Sequence, residues 1–172
     1  GCDKFIGVKG DPPLPGKRVS ILIQETKIKA DKTISSKNII LPTPSYNSDW
    51  PQSGGYPNHA MHHMEIGKKI EEKWTINIGD GTTNKERLMA QPIVYNGYLY
   101  TMDSETNVNA YNAENGNLIW SRDLTPKDEE NHINGGLAYM DGNIYATTGF
   151  GRVIALDAKM GRTIWEKDLF VP

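Results

Sequence analysis

Residues 155–165 read ALDAKMGRTIW, and residues 110–120 read AYNAENGNLIW. Setting Trp120 on Trp165, an offset of 45 residues, aligns 92–124 with 137–169 without a gap. The identical pairs are Gly97/Gly142, Tyr100/Tyr145, Val108/Val153, Ala110/Ala155, Ala113/Ala158, Gly116/Gly161, Ile119/Ile164, Trp120/Trp165, Asp123/Asp168 and Leu124/Leu169. Asn112 against Asp157 is a conservative exchange. Self-similarity at a fixed period of this size marks a repeat architecture. Trp74 lies 46 residues before Trp120 and marks the end of a third unit whose beginning is degenerate or absent.

Each unit reads as four short strands. In the second, strands are expected over 136–139, 143–147, 152–157 and 163–167, with Asp141-Gly142 turning the first hairpin. Asp-Gly or Asn-Gly between alternating runs is a strong hairpin signal, and Asn96-Gly97 supplies it in the first unit. Gly116 and Gly161 fall where the chain takes φ > 0, which glycine adopts without steric cost. Asn112 and Asp157 are placed to cap their own turns by accepting from backbone N–H groups. Ala110 and Ala155 are small where sheets approach closely. Trp74, Trp120 and Trp165 are read as core residues that end an outer strand, each with a large apolar surface and one N–H donor. A four-stranded unit of ~40–45 residues has the period of a propeller blade, and one blade cannot bury both faces alone. The expected fold is therefore all-β, a partial propeller of about two blades plus a closing strand at 74–78.

Composition agrees. The chain has 172 residues, 17 of them glycine and 10 proline, and is 37% hydrophobic, which suits a turn-rich β protein. A net charge of -2 gives no basic field for nucleic acid. No apolar run approaches the ~20 residues that span a bilayer.

Four segments are expected. Residues 1–45 read as a lipid-anchored tether, broken by Pro12, Pro13, Pro15 and Gly16, with apolar patches at 19–23 and 39–41 able to dock as edge strands. Residues 46–83 form a turn-rich segment with the closing strand, 84–130 the first blade and 131–172 the second. Cys2 is the one cysteine. The Gly1-Cys2 start matches the end of a bacterial lipoprotein signal, whose cysteine carries the lipid. Asp3 after it favours retention in the inner membrane in some bacteria.

The repeated ALDAKMGRTIW pattern resembles the PQQ-type propeller repeat. Together with LPGKRVSIL, DWPQSGGYPNHAMHH, KWTINIGDG and AQPIVYNGYLYTMD, it resembles the BamB family, lipoproteins of the outer-membrane β-barrel assembly machinery. That resemblance implies an eight-bladed periplasmic propeller tethered to the outer membrane. It would be a scaffold without catalysis or cofactor, binding the barrel-insertion subunit and nascent outer-membrane proteins. Eight units need more than twice this length, so the same resemblance implies a fragment, a split-gene product or a remnant.

Two chemical readings compete with it. His59, His62 and His63 are spaced closely enough for a zinc site, but no Cys or acid stands at matching spacing apart from Glu65. A quinoprotein dehydrogenase fragment is the alternative function. It would need oxygen ligands for a cation beside the quinone, and Asp103 and Glu105 are the acids in the inter-strand loop. No catalytic, cofactor-binding or metal residue is assigned. The charge run at 127–130 reads as an exposed loop, and Trp50 and Tyr56 as packed against the first blade.

Overall fold

The computed structural model describes residues 15–16, 29–34, 38–127 and 134–169. Cys2, Asp3, the patch at 19–23 and residues 128–130 lie outside them. The chain divides into two units, residues 1–40 and 41–172. In the first, a 3-10 turn spans Lys32–Ile34. Asp31 Oδ1 accepts from Thr33 N at 2.8 Å and Thr33 Oγ1 at 2.7 Å, and these bonds hold the Asp31 carboxyl below its ordinary value. The patch at 39–41 docks as no strand: Ile39 and Ile40 are each 88% exposed.

The second unit holds two four-stranded antiparallel sheets. The first is β1 (Ile93–Tyr95), β2 (Tyr98–Met102), β3 (Asn107–Asn112) and β4 (Leu118–Asp123). The second is β5 (Asn134–Met140), β6 (Asn143–Thr148), β7 (Arg152–Asp157) and β8 (Thr163–Asp168). Each sheet is a simple meander. The tight β1–β2 and β5–β6 turns place Asn96, Gly97, Asp141 and Gly142 at φ of 48°, 78°, 49° and 82°, the doubly left-handed turn that matches strand twist. One continuous core cluster draws on both sheets, with Ile93, Val108, Ala110, Ile144, Ala146 and Leu156 all 0% exposed. The small Ala110 and Ala155 pair across the ladder with Trp120 and Trp165, at matching irregularities in the two blades.

The β3–β4 and β7–β8 turns are near copies. Asn112 Oδ1 accepts from the N–H groups of Glu114 and Asn115, and Asp157 Oδ1 from those of Lys159 and Met160. Gly116 and Gly161 close these turns at φ of 74° and 66°, each donating to the capping residue's carbonyl at 2.8 Å.

Those turns carry the packing between successive repeats. Gly161 lies flat on the indole of Trp120: a Cβ there would stand 2.6 Å from Trp120 Cδ2 and Cε3. Gly116 lies in the same way on Trp74, whose Cε3 would be 2.9 Å from such a Cβ. Tyr100 Oη and Trp120 Nε1 both donate to the Ala158 carbonyl, at 3.2 and 2.9 Å. Arg122 Nε donates to Gly161 O at 2.8 Å. Trp120, on the outer strand of the first blade, is thus covered by the glycine turn of the second, and Trp74 by that of the first.

Two expectations need correction. The tryptophans do not end the outer strands. Trp120 and Trp165 sit inside β4 and β8. Nor is Trp165 core, being 43% exposed on a wholly exposed strand. Among the described residues no glycine turn lies over it. The closing strand at 74–78 is absent as well, since these residues are in no ladder. Trp74 and Ile76 meet the first blade face to face, over Gly116, and a ladder needs an edge-to-edge neighbour.

Candidate functional site

The turn-rich segment lies along the inner edge of both blades. Trp50 and Val94 exchange backbone bonds of 2.6 and 2.9 Å, and Tyr139 N donates to Pro51 O at 2.7 Å. Asp49 Oδ1 accepts from Asn96 N at 2.7 Å. This strap brings 48–52 beside the β1–β2 and β5–β6 turns, and a cleft of about 340 Å³ opens there between the blades. Tyr95 and Tyr139 stack across the blade boundary, with ring centroids 3.7 Å apart and planes 18° from parallel. Tyr98 stacks on Tyr100 at 6.0 Å. Asp141, Asp157 and Lys159 complete the lining with Asn96 and Asn143. Burial pushes the Tyr100 phenol well above its ordinary value, with the neighbouring Tyr139, Tyr98 and Asp157 adding to the shift, so it remains a neutral donor.

At the opposite ends of β2 and β3 sits the acidic loop. Asp103 is 2% exposed. Its Oδ1 accepts from Glu105 N and Asn107 N, at 3.0 and 2.8 Å. Its Oδ2 accepts from Asp80 N at 3.4 Å and Asn107 Nδ2 at 3.1 Å. This carboxylate is a saturated turn cap. Glu105 is exposed, and the carboxylate of Asp80 raises its pKa, with burial, Glu86, Asp103 and Asp123 contributing less.

Among the described residues no three His, Cys, Asp or Glu side chains converge as a metal site. His59 and His62 stand at positive φ of 52°, and His63 Nδ1 bonds the Pro42 carbonyl at 2.8 Å. The histidine group therefore shapes a turn. With Asp103 engaged by four N–H donors and no acids converging as a metal site among the described residues, these residues do not fit a quinone with its divalent cation.

Of the residues singled out in the sequence, Trp74, Trp120, Gly116, Gly161, Asn112, Asp157 and Ala110 come together at the joints between repeats, while Ala155 is buried within its own blade beside Trp165. Trp165 stands apart, and Cys2 is outside the described residues. The cleft tyrosines were missed. Their signal lies where the two units disagree: Tyr95 against Met140, Tyr98 against Asn143 and Val94 against Tyr139.

Residues 104–172 match a repeat family described as "Outer membrane protein assembly factor BamB". The dehydrogenase subunit of the quinone-dependent alcohol dehydrogenase of Gluconobacter oxydans is 37% identical over 129 residues, which is 70% of this chain and 16% of that protein. An uncharacterized protein of Rickettsia prowazekii is 35% identical over 85 residues, 49% of this chain and 20% of the other. Among solved structures, a quinohemoprotein alcohol dehydrogenase of Pseudomonas putida superposes with a TM-score of 0.54 at 26% identity. The match covers 73% of this chain and 19% of that one. The chain thus spans about a fifth of the length of the proteins it matches. The expectation of a chain outside the enzymes is overturned by these relatives, because those with a stated activity are quinone-dependent alcohol dehydrogenases.

Proposed function

We propose that the two blades form part of the wall of a quinone-dependent, alcohol-oxidising propeller. The observation that carries this reading is the 37% identity over 129 residues with the Gluconobacter oxydans dehydrogenase subunit. The role of these residues is the frame. The Trp120-on-Gly161 joint fixes one blade against the next, and a rigid ring of blades is what positions donors around a central site. On this reading the quinone and cation donors lie elsewhere than in the described residues, consistent with the saturated Asp103. The native protein, purified without chelator, should reduce an artificial dye when given a primary alcohol. Chelation should abolish the activity, and added calcium with quinone should restore it. Absence of alcohol-dependent reduction under all these conditions would reject the assignment.

A second reading, a scaffold in outer-membrane β-barrel assembly, is favoured by the family match over 104–172. It places the protein on the periplasmic side of the membrane, anchored through a lipid on Cys2. It predicts that the native protein co-isolates with the barrel-insertion subunit. It also predicts that Cys2→Ser abolishes fatty-acid labelling and releases the protein from membranes. Retention of the label in Cys2→Ser would refute the anchor.

A further inference from the structure

In a repeat protein, what the units share maintains the stacking, and what one unit alone carries is free to serve a site. The inter-unit joint uses Tyr100, Trp120, Ala158 and Gly161, and each has an identical counterpart one repeat away. The cleft between the β1–β2 and β5–β6 turns is lined differently. Tyr95, Tyr98, Tyr139 and Lys159 each face a different residue type in the sister unit: Met140, Asn143, Val94 and Glu114. The Tyr95–Tyr139 stack adds to the joint, but stacking accounts for neither Lys159 nor the charges on the rim.

The chemistry of that rim is specific. Asp157 Oδ1 is engaged with its own turn. Asp141 and Lys159 form no ion pair with each other or with another described residue, yet both border the one cleft. A free carboxylate and a free ammonium thus flank a floor of tyrosine rings. Ring faces attract cationic centres, and the carboxylates of Asp141 and Asp157, both in the lining, bias the cleft the same way. A volume of about 340 Å³ lies at the small end of ligand pockets.

We propose that this cleft binds a small zwitterion, its cationic nitrogen against the tyrosine faces and Asp141 and its carboxylate toward Lys159. The positive φ angles of Asn96, Gly97, Asp141 and Gly142 define the two tight turns that border the cleft.

The test titrates the full chain with glycine betaine, choline, acetate and a neutral methyl glucoside. The reporters are the amide resonances of Gly97 and Gly142, with Gly116 as a control outside the cleft. Betaine should shift both reporters saturably. Choline should bind roughly fivefold more weakly, and acetate and the glucoside should not saturate. Asp141→Asn and Lys159→Glu each write in a residue of the sister unit's type, so the fold is retained, and unchanged Gly116 and Gly161 resonances check it. Asp141→Asn should weaken betaine and choline alike. Lys159→Glu should weaken betaine and strengthen choline, inverting their order. No saturation by betaine, equal binding of the glucoside, or affinities indifferent to both substitutions would each overturn the proposal.

Discussion

Gly161 and Gly142 occupy the same region of backbone space, with φ of 66° and 82°, and differ in what surrounds them. Nothing lies within 4 Å of a Cβ placed on Gly142, whereas one placed on Gly161 enters the Trp120 ring. Gly142→Ala should therefore cost only left-handed strain, about 1–2 kcal/mol. Gly161→Ala adds overpacking and should cost about 2–5 kcal/mol. Urea unfolding of the two variants separates the terms, and equal losses would show that the indole can move aside. A related asymmetry surrounds the Ala158 carbonyl, which accepts from both Trp120 Nε1 and Tyr100 Oη. Trp120→Phe leaves this acceptor one donor, so the loss should be about 1 kcal/mol or less. Adding Tyr100→Phe orphans it, so the pair should cost more than the sum of the single losses.

At the scale of elements, strands and turns were legible in the sequence because each unit states its pattern twice. The turns at Asn96-Gly97 and Asp141-Gly142, and the caps Asn112 and Asp157, needed only local chemistry. Residues 74–78 were misread because alternation reports which faces are buried. Trp74 and Ile76 do bury against Gly116, but alternation does not supply the neighbour that turns a segment into a ladder strand. The start of β5 was also read short, since an irregularity between Asn134 and Leu137 interrupts the register. The cleft was illegible for a different reason: its residues are those the repeat does not dictate, and only the fold brings Tyr139 onto Tyr95. In the β2–β3 loop, the carboxylate of Asp80, ahead of Glu86, Asp103 and Asp123, raises the pKa of Glu105. A raised carboxyl pKa means that the folded state binds more protons than the unfolded chain in that window. The repulsion is then absent at low pH and complete once pH has risen through the folded value. Glu105→Gln should raise Tm slightly at neutral pH. The gain should shrink in high salt and vanish as pH falls through the carboxylate range. A gain independent of pH would assign it to something other than charge.

On the scale of the whole molecule, a repeat array holds together through nearest-neighbour joints, and here the joints are unequal. The first blade has Trp74 over its Gly116 turn and the second blade against β4. The second blade has Trp120 on one side, while β8 is exposed along its whole length among the described residues. Its outer edge is secured mainly by ladder bonds and the Arg152–Asp168 pair at 2.7 Å. Coupling through the Trp120 joint should still make the wild-type chain lose both blades together. Trp120→Ala removes the indole that Gly161 lies on, at about 3 kcal/mol for a partly buried tryptophan, and should release the blades from one another. Hydrogen exchange reads this directly. In the variant, amides of Ile154, Ala155 and Leu156 should lose protection at lower denaturant than those of Val108 and Ala110, while in the wild type both groups should open at the same denaturant concentration. If both groups still lost protection together in Trp120→Ala, the shared core cluster of Ile93, Leu137 and Ile144 would be the coupling element and the tryptophan joint only a contact.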